Sequence, residues 1–266
     1  MAATFTAKDV QRLRQMTGAG MMDSKKALEE TAGDFDAAAK FLREKGLGSA
    51  AKRSDRENTQ GAVAIARVGD AAGLVELKSE TDFVAKSPDF VNLANELAVL
   101  VAESGEAAAK EKADAIDDLK VTLKENIDLG EVVRFEATDG NVIDTYLHVQ
   151  NDRGVNGVLV QLRNGERELA HDLCMHIAFS RPRFLTRDEV PAEEVEAERK
   201  VLEAQTRNEG KPEQAIPKIV EGKLAGRFFA ERVLLEQKFV RDPKQTIKQL
   251  LGDAKVTRFA QVEVGR

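Results

Sequence analysis

The spacing of apolar residues divides the chain into a helical first part and a mixed second part. Before residue 50, apolar residues recur every three or four positions and are interrupted by glycines, which predicts short amphipathic helices. The first predicted helix starts at Thr6 and the second covers residues 23–31. The third is capped by Asp34 and ends at Gly46 and Gly48. Residues 1–50 are therefore expected to form a compact three-helix unit, followed by a charged linker over residues 51–60.

After the linker, the pattern changes to short runs in which apolar and polar residues alternate, which is typical of half-buried strands. Residues 62–67 and 73–79 predict a hairpin with its turn at Gly69-Asp70. Further predicted helices cover residues 88–101, 116–124 and 166–180, and further predicted strands cover residues 131–137, 142–149, 155–162 and 256–264. The three strands between residues 131 and 162 are expected to form a meander, with one turn at Asp139-Gly140.

Residues 187–227 are rich in charge and helical in pattern, and they predict an antiparallel helical hairpin. Pro217, within its second arm, is unfavourable for a continuous helix at that point. The predicted fold class is α+β. The three-helix unit is followed by a core of two subdomains, residues 61–140 and 141–266, each an antiparallel sheet with helices, and the helical hairpin is inserted in the second.

Composition narrows the classes of function. The 266 residues carry a formal net charge of −6, which argues against bulk attraction to nucleic acid or to an anionic membrane surface. The only cysteine is Cys174, which excludes an internal disulfide and fits a reducing compartment. Residues 1–10 do not resemble an export signal, and no run approaches the roughly 20 apolar residues that span a bilayer. We therefore expect a cytoplasmic protein with no membrane contact.

No pattern for chemical catalysis or metal binding stands out. The glycines around residue 19 lack the Gly-Lys-Ser/Thr ending of a phosphate loop and follow a helix, so a turn is favoured. His171 and His176 neighbour Cys174 without a second sulfur ligand, and His176 is interpreted as a hydrogen-bonded histidine at the edge of the core. Glu80 and Asp82 could form a carboxylate pair, but no nucleophile or substrate pocket accompanies them. We predict a protein that is not an enzyme and has no metal or cofactor.

The most informative segment is the Thr81-Asp82-Phe83 run, where a predicted strand gives way to a helix that starts at Ser87-Pro88. An acid beside a large aromatic at such a turn can reach into a partner. The alternative is structural, with Phe83 capping the local core and Asp82 accepting hydrogen bonds from the backbone. A similar choice applies to Met21 and Met22, whose unbranched side chains suit either a partner groove or the interior of the three-helix unit.

Two stretches of the sequence resemble the bacterial elongation factor Ts family. The first is Leu13-Arg14-Gln15-Met16-Thr17-Gly18-Ala19-Gly20-Met21-Met22-Asp23-Ser24-Lys25-Lys26-Ala27-Leu28, and the second is Thr81-Asp82-Phe83-Val84-Ala85-Lys86. The resemblance covers essentially the whole chain, and both motifs occur in the expected order and at the expected separation. The sequence departs from many members at Ser24 and Lys78, where those have cysteine and asparagine, and it ends at Arg266 without the C-terminal helix that some members carry.

The resemblance implies both a fold and a function. The first three helices would be a ubiquitin-associated-like domain, and the protein would be a guanine nucleotide exchange factor for the GTPase elongation factor Tu. By similarity, Asp82 and Phe83 intrude beside the magnesium and nucleotide site, and His148 presses near the phosphate-binding loop. Arg14, Met21 and Met22 correspond to the family's N-terminal contacts with a helix of the GTPase domain.

Two other functions fit parts of the sequence. A non-enzymatic adaptor would use the three-helix unit to bind another protein and the helical hairpin for self-association, but it leaves the Thr81-Asp82-Phe83 run unexplained. An RNA-binding module would use the basic residues Lys25, Lys26, Lys52, Arg53 and Arg56. The acidic net charge and the lack of aromatics between these residues count against it, and no direct contact with nucleic acid is expected.

Overall fold

The computed structural model of the protein describes residues 5–138 and 140–266. The first four residues of the predicted three-helix unit and Asp139 of the predicted Asp139-Gly140 turn lie outside these ranges. The fold is α+β, as predicted, and it combines small antiparallel sheets with many helices. No helix in the described ranges is long and apolar enough to cross a membrane.

The chain begins with three helices, α1 (Ala7–Thr17), α2 (Met21–Glu30) and α3 (Phe35–Ala51). Thr6 caps α1 in a reciprocal capping box with Asp9, and Gly18 ends the helix in the left-handed conformation at φ 66°. Side chains from all three helices form one buried cluster, which contains Val10, Leu13, Ala27, Leu28, Ala38 and Leu42. This cluster is the apolar face that the three- and four-residue spacing predicts.

The predicted end of the third helix at Gly46 and Gly48 is wrong, because α3 continues to Ala51. Gly46 lies against helix α6 (Ala113–Leu123), and a Cβ atom at Gly46 would come within 2.5 Å of Val121 Cγ1. Glycine is needed here for close helix packing, and this contact compensates for its low helix propensity. The packing also joins the three-helix unit to the rest of the protein.

The first sheet has the strand order β1-β2-β3 and is antiparallel throughout. Its elements are β1 (Gln60–Val68), β2 (Ala71–Ser79), the short helix α4 (Asp82–Ala85), α5 (Pro88–Ser104), α6, and β3 (Asp128–Glu136). Helix α5 covers one face of the sheet, where Phe90, Leu97 and Val101 are completely buried. The predicted β1–β2 hairpin is confirmed.

The second sheet has the order β4-β5-β8, and it too is antiparallel. Its elements are β4 (Asn141–Gln150), β5 (Arg153–Arg163), α7 (Arg167–Ser180), a small hairpin of β6 (Lys238–Phe239) and β7 (Asp242–Thr246), α11 (Ile247–Leu251), and β8 (Lys255–Glu263). The predicted three-strand meander is wrong, because β3 pairs with β2 and β4 pairs with β5. Alternation identifies each strand but does not specify its neighbour, and here consecutive strands belong to different sheets.

The two sheets pack face to face. A mixed cluster from both sheets, including Val63, Leu74, Leu159 and Val262, fills the space between them. At Gly157 the approach is so close that an added Cβ atom would lie 2.7 Å from Val63 Cγ1. The sheets therefore share one buried cluster, which fixes the position of each sheet relative to the other.

A helical arm lies between α7 and the small hairpin. It consists of α8 (Ala192–Asn208), α9 (Ile216–Lys223), a π-helical turn (Leu224–Phe229) and α10 (Ala230–Arg232). Pro217 is in the first turn of α9. Backbone N–H groups in a first turn have no acceptor within the helix, so the missing N–H of proline costs no hydrogen bond there. A separate buried cluster holds the arm together: Val190, Leu202, Ile216, Val220, Leu224, Phe228, Phe229 and Val233.

Candidate functional site

The Thr81-Asp82-Phe83 run forms an exposed tip at the end of β2. Thr81 caps α4, and its hydroxyl oxygen accepts a hydrogen bond from Val84 N–H at 3.3 Å. Val84 is partly buried and Ala85 fully buried against the core of the first sheet, whereas Phe83 is 73% exposed. The structural interpretation of Phe83 as a cap on the core is therefore wrong, and the ring is presented to solvent.

Glu125, which follows α6, holds this tip in place. Its Oε2 accepts hydrogen bonds from the backbone N–H groups of Glu80 at 3.1 Å and Thr81 at 3.0 Å, and its Oε1 accepts from the Thr81 hydroxyl at 2.5 Å. Bonds to a carboxylate are among the stronger hydrogen bonds in proteins. This contact could not be predicted from the sequence, since Glu125 is 44 residues from Thr81 and belongs to no local motif.

Asp82 and Lys86 form an exposed pair beside the aromatic ring. Asp82 Oδ2 lies 3.4 Å from Lys86 Nζ, and the same ammonium sits 4.3 Å from the centroid of the Phe83 ring. Surface pairs of this kind are worth at most about 1 kcal/mol. A partner can displace Lys86 at little cost, which leaves both an acid and an aromatic face available.

Glu80, the other carboxylate of the suspected pair, is committed to structure. Its Oε1 accepts from Asn126 N–H at 2.7 Å, and its side chain also lies 3.4 Å from Arg56. Glu80 is therefore not free to act with Asp82 in acid–base chemistry. Across residues 5–138 and 140–266, no group of three or more His, Cys, Asp or Glu side chains is placed to hold a metal ion.

His148 is exposed near the end of β4, next to a bulge in the β4–β5 ladder. The turn of this hairpin is anchored by Arg153, which donates to the carbonyl oxygen of Gly61 at 2.6 Å and to Gln60 Oε1 at 3.1 Å. Burial lowers the pKa of Arg153, and the negative charge of Asp82 opposes that change. Because Gln60 pairs with Ser79, just before the tip, the β4–β5 turn and the tip lie at the same end of the molecule.

Arg14, Met21 and Met22 are all exposed on the three-helix unit. Met22 is 74% exposed, so the alternative of burial inside the unit is wrong for both methionines. Met16, on α1, is also exposed and adds apolar surface that the sequence interpretation did not single out. These exposed side chains, which we call the methionine surface, lie on a different structural unit from the tip.

The remaining histidines have structural partners. His176 is fully buried and its Nε2 lies 2.9 Å from Gln237 Oε1, which confirms the interpretation of a hydrogen-bonded core histidine. Burial lowers the pKa of this imidazole. His171 Nδ1 lies 2.7 Å from the buried carboxylate of Asp144, and Cys174 Sγ donates to the Asp144 carbonyl oxygen at 3.3 Å. This cluster ties α7 to β4.

Replacing Glu125 tests whether the tip must be held rigid. We expect Glu125→Ala to leave the fold intact and to speed hydrogen exchange at the backbone amides of Glu80 and Thr81 by at least tenfold, because each amide loses its carboxylate acceptor. Exchange can be followed by nuclear magnetic resonance. Glu103→Ala, which removes an exposed carboxylate from α5, is the control and should leave both amides unchanged; unchanged protection in Glu125→Ala would contradict the role of Glu125.

Comparisons with known proteins identify the family of the chain. Residues 80–266 match the family model described as Elongation factor TS. The chain is 45% identical to Elongation factor Ts of Acidothermus cellulolyticus, with 99% of each chain covered. It is 45% identical to Elongation factor Ts of Thermobifida fusca, again over 99% of both chains. It is 40% identical to Elongation factor Ts of Deinococcus radiodurans, over 97% of this chain and 99% of the relative.

The matches place the protein among the translation elongation factors. They extend over nearly the entire sequence, including the exposed tip and the three-helix unit in front of it. The chain belongs to the elongation factor Ts family.

Proposed function

We propose that this protein promotes the release of GDP from elongation factor Tu during translation elongation, as a nucleotide exchange factor in the cytoplasm. It changes the rate of exchange and performs no covalent chemistry. Family membership supports the role, and the observation that carries it is the 73% exposure of Phe83 on a turn that Glu125 fixes in place. An aromatic side chain presented on an ordered turn offers apolar area that a partner can bury.

In this mechanism, Phe83 enters an apolar slot beside the nucleotide site of the GTPase. Asp82, released from its weak pair with Lys86, disturbs the groups that hold the magnesium ion. Magnesium bound in elongation factor Tu would strengthen the hold of the GTPase on the nucleotide, so weakening its binding groups would speed the release of GDP. The tip is ordered before binding, so little conformational entropy is lost when it inserts.

The other exposed residues supply additional contacts. His148, at the same end of the molecule, presses towards the phosphate-binding loop. Arg14, Met21 and Met22 pack on a helix of the GTPase domain, where flexible methionine side chains adapt to the partner surface. Accelerating release ten-thousandfold requires the activation free energy to fall by about 5.5 kcal/mol. One surface contact supplies less than this, so these contacts must act together.

Thermodynamic coupling gives a further requirement. If this protein weakens the binding of nucleotide to elongation factor Tu, nucleotide weakens the binding of this protein by the same factor. A stable complex is therefore expected when nucleotide is absent, and excess GDP should dissociate it.

The direct test follows the release of a fluorescent GDP from elongation factor Tu in the presence of magnesium while this protein is added. We expect the release rate to rise with its concentration and to reach a plateau. A flat rate with folded protein would reject the proposal and favour an adaptor that binds through the three-helix unit and self-associates through the helical arm. Analytical ultracentrifugation of the protein alone would then test the self-association.

A further inference from the structure

A cleft of about 640 Å³ lies along β8. None of its lining residues takes part in the proposed exchange of nucleotide. One wall is the β2–β3 pair at Glu76 and Glu131, and the other is the segment of residues 181–185 that leaves α7. Residues 257–263 of β8 run along its length. The cleft therefore follows β8 over residues 257–263, a stretch that several residues of an extended chain could line.

β8 is an edge strand with one side of its backbone unpaired. It pairs only with β5 in the order β4-β5-β8, and Val264 N–H donates to the Val155 carbonyl oxygen at 2.9 Å. Backbone groups alternate in an antiparallel ladder, so those of Phe259, Gln261 and Glu263 point away from β5. Within the described residues, only the Glu263 carbonyl oxygen among these groups has a partner, the N–H of Arg266. The edge thus offers donors and acceptors to an added strand.

A buried carboxylate also lies in this cleft. Glu76 is only 4% exposed, and its one hydrogen bond in the described structure is a long contact of 3.4 Å from Glu131 N–H to its Oε2. A bulge in the β2–β3 ladder falls at this residue. Gly130 makes room for the carboxylate, since an added Cβ atom there would lie 2.2 Å from Glu76 Oε2. Burial raises the pKa of Glu76, and the hydrogen bond from Glu131 N–H and the charge of nearby Lys78 only partly oppose that change.

The arginines of the cleft have partners other than Glu76 and Glu131. Arg181 and Arg266 pair with Glu263, and Arg183 pairs with Glu194. The fourth, Arg258, lies over the Phe135 ring at 3.9 Å and donates to Gln161 Oε1 at 3.0 Å. The carboxylates of Glu76 and Glu131 form no ion pair in the described structure, so both are available to a cation of a partner.

We propose that the cleft binds an extended peptide segment of a partner protein, which adds to β8 as a strand and places a lysine or arginine side chain on the Glu76 carboxylate. Two independent features support this assignment, namely the unpaired edge and the buried acid beside it. Main-chain bonds to β8 would supply affinity, and the contact with Glu76 would supply specificity for a basic residue. The partner is thus recognised by an extended, basic sequence.

The test uses a capped seven-residue peptide of alternating valine and threonine with a central lysine, titrated into isotope-labelled protein and followed by nuclear magnetic resonance. Amide signals of Phe259, Gln261 and Glu263 should shift. The lysine peptide should bind at least about tenfold more tightly than the same peptide with a central norleucine, as a hydrogen bond to a charged group implies. Glu76→Gln should make the two peptides equal, whereas Glu131→Gln, at an exposed carboxylate of the same cleft, should keep most of the preference.

A second arm needs no variant of the protein, so it remains decisive if Glu76→Gln fails to fold. A lysine peptide that is N-methylated at every residue has no backbone N–H to donate to β8 and should bind at least about tenfold more weakly than its parent. Three outcomes would overturn the proposal. The methylated peptide and its parent could bind equally, the lysine and norleucine peptides could bind the unmodified protein equally, or the shifts could be confined to other surfaces. Concentration-dependent shifts of the β8 amides without peptide would instead assign the cleft to a second copy of this chain.

Discussion

Phe83→Ala is expected to slow GDP release from elongation factor Tu by roughly 30-fold at a fixed concentration of this protein, while its thermal unfolding is unchanged. Removing a central aromatic contact from an interface commonly costs about 2 kcal/mol or more, which corresponds to this factor in rate when the contact forms in the transition state. The side chain is 73% exposed in the free protein, so its removal leaves no cavity in the core. Stopped-flow fluorescence of a labelled GDP measures the rate.

Phe179→Ala is the matched control, because Phe179 is an aromatic of nearly equal exposure, 71%, on α7. We expect it to retain most of the activity. Equal losses in the two variants would argue against a specific wedge at Phe83, and the unmodified rate in a folded Phe83→Ala variant would exclude it.

Asp144→Ala is expected to lower the free energy of unfolding by about 3 kcal/mol, the low end for breaking a buried ion pair, because Asp144 is buried while its cationic partners are partly exposed. Asp144 is 5% exposed and accepts from Arg67 Nη1 at 2.9 Å and Arg167 Nε at 3.1 Å, in addition to its contact with His171. Of these partners, Arg67 contributes most to the expected loss of stability, because its guanidinium is the most buried and would lose its carboxylate partner. Urea denaturation followed by circular dichroism measures the change.

Asp172→Ala, on the same helix as His171, provides the comparison. Its carboxylate pairs with Arg241 near the surface, so its loss should cost no more than about 1 kcal/mol. Similar losses in the two aspartate variants would show that Asp144 does not organise the second sheet.

The sequence predicted those features that depend on local patterns. The helix caps at Thr6 and Asp34, the β1–β2 hairpin and the turn that carries Phe83 all follow from residue types within a few positions of each other. The sequence also located the tip, but not its exposure, because side-chain burial depends on what packs nearby.

The incorrect or missing predictions concern contacts between distant segments. Gly46 indicated a helix end, but Val121 packs against it and requires a residue without a side chain. The partner of β3 could not be inferred because its alternation would suit either sheet. Glu125 was missed for the same reason, since a carboxylate that binds a distant turn leaves no periodic signal.

The segment between the three-helix unit and the core was predicted to be a linker, yet it is held at several points. Asn126 Nδ2 donates to the carbonyl oxygens of Ser54 at 3.2 Å and Arg56 at 2.8 Å, and Asn58 Nδ2 donates to Asp128 Oδ2 at 2.7 Å. With a flexible tether, the methionine surface would bind its partner only after the tip had bound. Its effective concentration near the partner would then be of only millimolar order. A clamped segment instead fixes the span between the two surfaces. The protein would then select partners by the distance between two docking points as well as by the chemistry at each.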